Sequence, residues 1–245
     1  TYPNLEILIG DDSEGSAIEA MVEVASGRLP GRVHYRRNPR RLGLAANVLA
    51  LLEAAQGELV KVLCDDDRLL ARCVEQQAAA FQHAEVKVSL AQRVFCDAGD
   101  FVLPQRLQNV AFANTDSMFK GSDVLAILAG SPVNFLGNFS SALFYRREAA
   151  EILKVLINQE QQFEALLDLV LFVCLMRHGE VAVMRSAAII ERLHPERLSL
   201  DDSVKASTQQ EWGWLTQMLK ARGGDAPVAS GWVRFVEMAR GSEVL

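Results

Sequence analysis

Three consecutive carboxylates, Asp65, Asp66 and Asp67, close the apolar run LVKVLC at residues 59–64. Each repels its neighbours and resists desolvation, so the group calls for water, cations or a helix N-terminus. One Asp there would pass as a turn former or a helix cap. Three in a row after a β-rich segment point to a divalent cation or a metal–phosphate pair. A second acidic pair, Asp11-Asp12, ends the apolar run LEILIG at 5–10. The basic stretch YRRNPRR at 35–41 carries guanidinium groups that match phosphate geometry, although a solvated basic loop reads equally well. Farther on, the strongly apolar segment LLDLVLFVCLMRHG at 166–179 holds a single carboxylate, Asp168, which is costly there without a role. Glu164 lies one turn earlier as its rival.

These residues fall at the ends of predicted elements. LEILIG reads as a buried strand, followed by a helix over about 16–26 that Gly27, Pro30 and Gly31 stop. RVHYRRN is a second strand, and AANVLALLEAA after Leu44 is helical, with Gly57 as its stop. LVKVLC is a third strand and ARCVEQQAAAFQHA a third helix. Such alternation predicts parallel βαβ units with right-handed crossovers. Ligands bind outside the carboxyl ends of strands in such sheets, which brings two acidic loops and one basic loop to a single sheet edge.

The second half changes character. VKVSLAQRVFCDAGDFV is extended chain with a turn at Asp97-Ala98-Gly99, and SSALFYRRE is a strand entering the helix EAAEILKVLI. QQFEALLDLVLFVCLMRHG reads as one longer apolar helix ended by Gly179, with the strand VAVMRSAAII after it. The expected class is α/β: a mixed, mainly parallel sheet flanked by helices, in a domain over 1–205 with a helical C-terminal extension over 206–245.

Composition narrows the function classes. The chain has 245 residues, half of them hydrophobic and 23% charged, an ordinary balance for a globular protein with a sizeable core. A net charge of −6 argues against a dedicated nucleic-acid binder. The four cysteines, Cys64, Cys73, Cys96 and Cys174, show no CxxC pair and read as free thiols in a reducing compartment. No stretch approaches the roughly 18 apolar residues that span a bilayer. The expected location is cytoplasmic, with peripheral attachment at the inner face of a membrane left open.

The ordered series TYPNLEILIGDDSEGS, then RNPRRLGLAANVLALLEAAQGELVKVLCDDDRLL, resembles the nucleotide-binding half of an inverting family 2 glycosyltransferase with a GT-A fold. The resemblance covers about residues 1–72. It continues more weakly through SSALFYRREAAEIL, the Asp168 segment and IERLHPERLSLD at 190–201. It implies a nucleotide-binding half over 1–95 and an acceptor half over 96–205. It also implies that the chain opens at the link into the fold's second strand, with the first strand and helix upstream.

The resemblance further implies site roles. Asp12, with Asp11, lies at the base of a nucleotide diphosphate sugar, most simply a UDP-sugar, because a carboxylate accepts from an imide N–H. Gly43 and Asn47 lie near the nucleotide, and Arg41 or Arg40 near the diphosphate. Asp65 approaches the ribose. Asp66 is the metal ligand, with Asp67 direct or behind it, and His194 approaches the metal and diphosphate. Where the family often has Asp-x-Asp-Asp, Cys64 takes the first Asp position. Hard oxygen ligands suit Mn²⁺ or Mg²⁺. Asp168 is the general base that deprotonates the acceptor hydroxyl, although Leu167 replaces the Glu that often precedes it.

The implied activity is metal-dependent inverting transfer of a sugar to a glycan or lipid-linked acceptor, of the kind used in bacterial surface glycan synthesis. Two alternatives stand beside it. One is a truncated or degenerate, non-catalytic nucleotide-sugar-binding or scaffolding module of a larger assembly. The other is a sugar nucleotidyltransferase, which would normally show a Gly-rich basic phosphate loop after its first strand.

Overall fold

In a computed structural model the described residues are 2–109, 113–130, 133–160, 162–194 and 202–220. They form two compact units. One comprises Tyr2–Val60 and Tyr145–Glu164; the other comprises Lys61–Phe144 and the chain from Ala165 onward. The units interleave along the sequence.

In the first unit, strand β1 (Ile7–Asp11) leads through helix α1 (Ala17–Arg28) to strand β2 (Val33–Arg37). β1 and β2 pair in parallel from Ile7↔Val33 to Asp11↔Arg37, so both carboxyl ends meet side by side. Helix α2 (Leu44–Ala54) begins at Gly43, whose φ of +79° suits a residue without Cβ. α2 buries Val48 and Leu52. Strand β3 is only Leu59–Val60. This shortens the expected strand LVKVLC: beyond Val60, Lys61 Nζ donates to Gln77 Oε1 (2.7 Å) and the Cys64 amide to Ser140 Oγ (3.0 Å).

The second unit opens with strand β4 (Arg68–Leu69), helix α3 (Cys73–Ala79) and the long strand β5 (Val86–Cys96). Strand β6 (Ser117–Lys120) and helix α4 (Gly121–Gly130) follow; neither was expected. Strand β7 (Ala142–Tyr145) then leads into helix α5 (Arg146–Ile157), which returns the chain to the first unit. α5 buries Ala149, Ala150, Leu153 and Leu156, an i, i+1, i+4, i+7 stripe. Its Arg146 donates from Nε to Gly57 O (2.8 Å) and from Nη1 to Leu52 O (3.3 Å), placing a cation at the carboxyl end of α2.

Helix α6 (Leu167–Met176), strand β8 (Glu180–Arg192) and helix α7 (Asp202–Lys220) complete the order. β5 and β8 run parallel through the centre; β7 lies antiparallel on β5, and β4 and β6 lie antiparallel on β8. The sheet is therefore mixed, as expected. α6 is apolar all round, and Leu169 through Val173 are fully buried. The Phe172 ring meets Phe139 edge-on at 6.2 Å.

α6 starts at Leu167, so the expected longer helix is cut and Asp168 lies in its first turn. Helix α7 carries the expected C-terminal extension as far as Lys220; residues 221–245, and 195–201 at the end of IERLHPERLSLD, lie outside the described residues. None of the four cysteines is in a disulfide, and Cys73 and Cys96 are buried. Among the described residues no helix is long and apolar enough to cross a membrane.

Candidate functional site

The carboxyl ends of β1 and β2 are tied by a polar network. Asp11 is buried: its Oδ1 accepts from the Ser13 amide (2.8 Å) and its Oδ2 from the Tyr35 hydroxyl (2.7 Å). The hydrogen bonds of Ser13 and Tyr35 hold the carboxyl below its usual range, and the same contact raises the Tyr35 phenol to about 12. Both Asp11 oxygens are thus engaged inside the unit, shaping the loop.

Asp12 is only partly buried. Its Oδ1 accepts from Asn38 Nδ2 (2.6 Å), and its Oδ2 from the amides of Leu42 (3.0 Å) and Gly43 (2.8 Å). Burial works to raise its pKa, but these three bonds and nearby Arg41 bring it below the usual carboxylate value. Asn47 Nδ2 donates to Gly10 O (2.9 Å), and Asn38 Nδ2 also reaches Asn47 Oδ1 (2.9 Å). Asp12, Gly43 and Asn47 are therefore brought together, while Arg41 is exposed beside them. Asn38, which joins them, was missed. Its only sequence signal is its place before Pro39 in the basic stretch.

In the other unit the acidic cluster forms a tight turn, with the Asp67 amide donating to Cys64 O (3.2 Å). β4 follows and pairs Arg68 with Ile190 of β8, which carries the turn to the end of that strand. There Asp66 Oδ2 lies 3.4 Å from His194 Nε2, each about one quarter exposed. Asp65 is exposed. Asp67 is turned inward: its Oδ2 accepts from Asn138 Nδ2 (2.7 Å), and its Oδ1 has no partner among the described residues. Burial raises its pKa, opposed by Ser140 and Asn138 and reinforced by the charges of Glu191 and Asp66. Burial also pushes the Cys64 thiol up to about 12, so the side chain is uncharged at neutral pH.

Asp168 keeps part of its surface open, and its Oδ1 accepts from the Leu169 amide (2.7 Å). Burial raises this carboxyl to about 7, with the Leu169 bond and Arg93 pulling down and Glu191 pushing up. Arg93 and Glu191 form a buried ion pair at 2.8 Å between β5 and β8. Neither was foreseen, although an Arg inside the apolar run VSLAQRVFC was a visible anomaly. Glu164 is exposed and lies in the first unit.

Among the described residues no three His, Cys, Asp or Glu side chains cluster closely enough to hold a metal by themselves. Mg²⁺ and Mn²⁺, however, commonly take one or two protein donors and complete their shell with phosphate oxygens and water. The facing, part-exposed Asp66 and His194 fit that two-donor arrangement.

The sequence profile described as "Glycosyl transferase family 2" matches residues 1–152, and the chain belongs to that family. Among solved structures, the chain is similar to S. aureus TarS residues 1–349, with 14% identity, a TM-score of 0.60, and coverage of 94% of this chain and 60% of that one. The same protein in complex with UDP gives 15% identity, a TM-score of 0.61 and coverage of 99% and 65%. In complex with UDP-GlcNAc it gives 12% identity, a TM-score of 0.61 and coverage of 98% and 64%. At such identities the likeness shows the fold. The chain spans about three-fifths of the length of those structures. No curated protein sequence matches it.

Proposed function

We propose that this domain is a metal-dependent, inverting glycosyltransferase that moves a sugar from a UDP-sugar to an acceptor hydroxyl. The observation that carries this reading is Asp168: a carboxyl at the first turn of an apolar helix, raised to about 7, in the unit that also pairs Asp66 with His194. A general base works best with a pKa near the operating pH. UDP and UDP-GlcNAc bound to a protein of the same fold favour a uridine donor.

In this reading Asp168 takes the proton of the acceptor hydroxyl as its oxygen attacks the anomeric carbon. The bond from that carbon to the diphosphate oxygen breaks on the opposite face, so the anomeric configuration inverts. The Asp12 network orders the loops at Asn38 and Leu42-Gly43, with Arg41 exposed beside them, and this unit is assigned contact with the base. Asp66 and His194 would hold a divalent cation, which when bound would supply charge neutralisation to a departing nucleoside diphosphate. The acceptor class is a glycan or lipid-linked hydroxyl of a cell-surface glycan, met in the cytoplasm or at the inner membrane face.

The test is incubation with UDP-GlcNAc and Mn²⁺, following phosphorus species by NMR. Free UDP supports glycosyl transfer or its hydrolytic side reaction. In a parallel incubation with UTP and GlcNAc-1-phosphate, release of inorganic diphosphate would instead indicate nucleotidyl transfer. Binding without turnover would indicate the scaffolding module.

A further inference from the structure

The acidic turn does not hold itself in place; its two ends rest on residues more than seventy positions away. The Cys64 amide donates to Ser140 Oγ (3.0 Å), and Asn138 Nδ2 donates to Asp67 Oδ2 (2.7 Å). Asn138 and Ser140 belong to NFLGNFSS at 134–141, a segment built for rigidity. Asn134 Oδ1 accepts from the amides of Leu136 (3.1 Å) and Gly137 (3.1 Å), while its Nδ2 returns to Gly137 O (3.1 Å). Gly137 has a φ of +98°, and a Cβ there would collide with the Ser141 side chain. The Ser141 amide closes the turn on Asn138 O (2.9 Å). From behind, Arg93 Nη2 donates to Asn134 O (3.2 Å) and Gln108 O (2.7 Å).

We infer that the 134–141 turn is the positioning wall of the metal-binding loop, and that Asn138 is its key residue, fixing Asp67 so that neighbouring Asp66 faces His194. This inference rests on the glycosyltransferase reading for its purpose, but not for its geometry. Asp67 is 6% exposed, so its carboxylate gains no support from bulk water; Asn138 donates to it at 2.7 Å, and the Ser140 hydroxyl adds a weaker hold from the same segment. Removing that donor frees one end of a turn whose middle residue must meet a cation. Asn138 touches neither donor nor metal in this arrangement; it acts through Asp67.

Asn138→Ala tests the inference with two readouts on the intact chain. Hydrogen exchange at the Cys64–Asp67 amides is expected to rise at least tenfold, and the Mn²⁺ concentration giving half-maximal UDP binding at least fivefold. UDP affinity at saturating Mn²⁺ should stay within threefold. The exchanged pair Asp67→Asn with Asn138→Asp restores the hydrogen bond with donor and acceptor reversed, and should bring Mn²⁺ dependence back to within threefold of the parent. Ser140→Ala, which loosens the other end, should raise exchange at Cys64 should Asn138→Ala fail to fold. Unchanged exchange in Asn138→Ala or in Ser140→Ala overturns the inference. So does an exchanged pair that stays weak towards Mn²⁺, because Asp67 would then act by its own charge. A parent protein that shows no Mn²⁺-dependent UDP binding overturns the functional reading instead, while exchange at the turn still decides the positioning role.

Discussion

Replacing Asp168 by Asn should make the protein more stable at neutral pH and inactive. A carboxyl that titrates at about 7 in the folded state, against an ordinary 3.8, resists ionisation because folding buries it. At 1.36 kcal/mol per pH unit, the folded state is then destabilised by up to about 4 kcal/mol once both states are ionised. The sign follows from the raised pKa. The favourable contribution is complete below about pH 4, declines as pH rises, and is gone above about pH 7. Asn carries no charge and can still accept the Leu169 amide through Oδ1, so it mimics the protonated acid without the pH dependence. Urea denaturation of both proteins at pH 4, 5.5, 7 and 8 measures this. The advantage of Asp168→Asn should be near zero at pH 4 and level off at about 2–4 kcal/mol above pH 7. Release of UDP from UDP-GlcNAc should fall at least a hundredfold. In the parent, kcat/KM should rise with pH through an apparent pKa near 7. A stability change that is the same at every pH, or a loss at pH 8, would refute the argument that Asp168 is held near neutrality by burial.

The buried Arg93–Glu191 pair should be costly to halve: Arg93→Met removes the cation 2.8 Å from the buried Glu191 carboxylate, with an expected loss of about 3–5 kcal/mol in urea denaturation, and Arg93→Met/Glu191→Met should recover much of it. Asp12→Ala removes the acceptor for Asn38, Leu42 and Gly43. It should cost about 1–3 kcal/mol and weaken UDP binding at least tenfold, measured by thermal melting and calorimetry. Asp66→Ala should keep the parent's melting temperature within a few degrees while abolishing the Mn²⁺-induced stabilisation seen with UDP.

Much of the first unit was legible because its signals are local. β1, α1, β2 and α2 follow from apolar runs, helical periodicity and Gly or Pro stops, and the acidic ends of LEILIG and LVKVLC were visible directly. β4 was not legible: two residues form a strand only because β8, more than a hundred positions later, offers a partner. The start of α6 was misplaced because the apolar pattern extends upstream of Leu167, where the helix does not. The ties around the site were hidden for the same reason. Arg93 and Glu191 are 98 positions apart, and Asn138 and Asp67 are 71 apart; no local pattern announces a bond across such distances. Asp11 and Asp12 show the limit most clearly. Adjacent and identical in type, they differ only because Tyr35 and Ser13 engage one while Asn38 and two backbone amides engage the other.

Calorimetric titration of UDP into the protein, with and without Mn²⁺, tests the central claim most directly. The account predicts binding that is at least tenfold tighter with Mn²⁺ and loses that dependence in Asp66→Ala. Binding of equal strength with and without Mn²⁺, or none with it, would contradict the account.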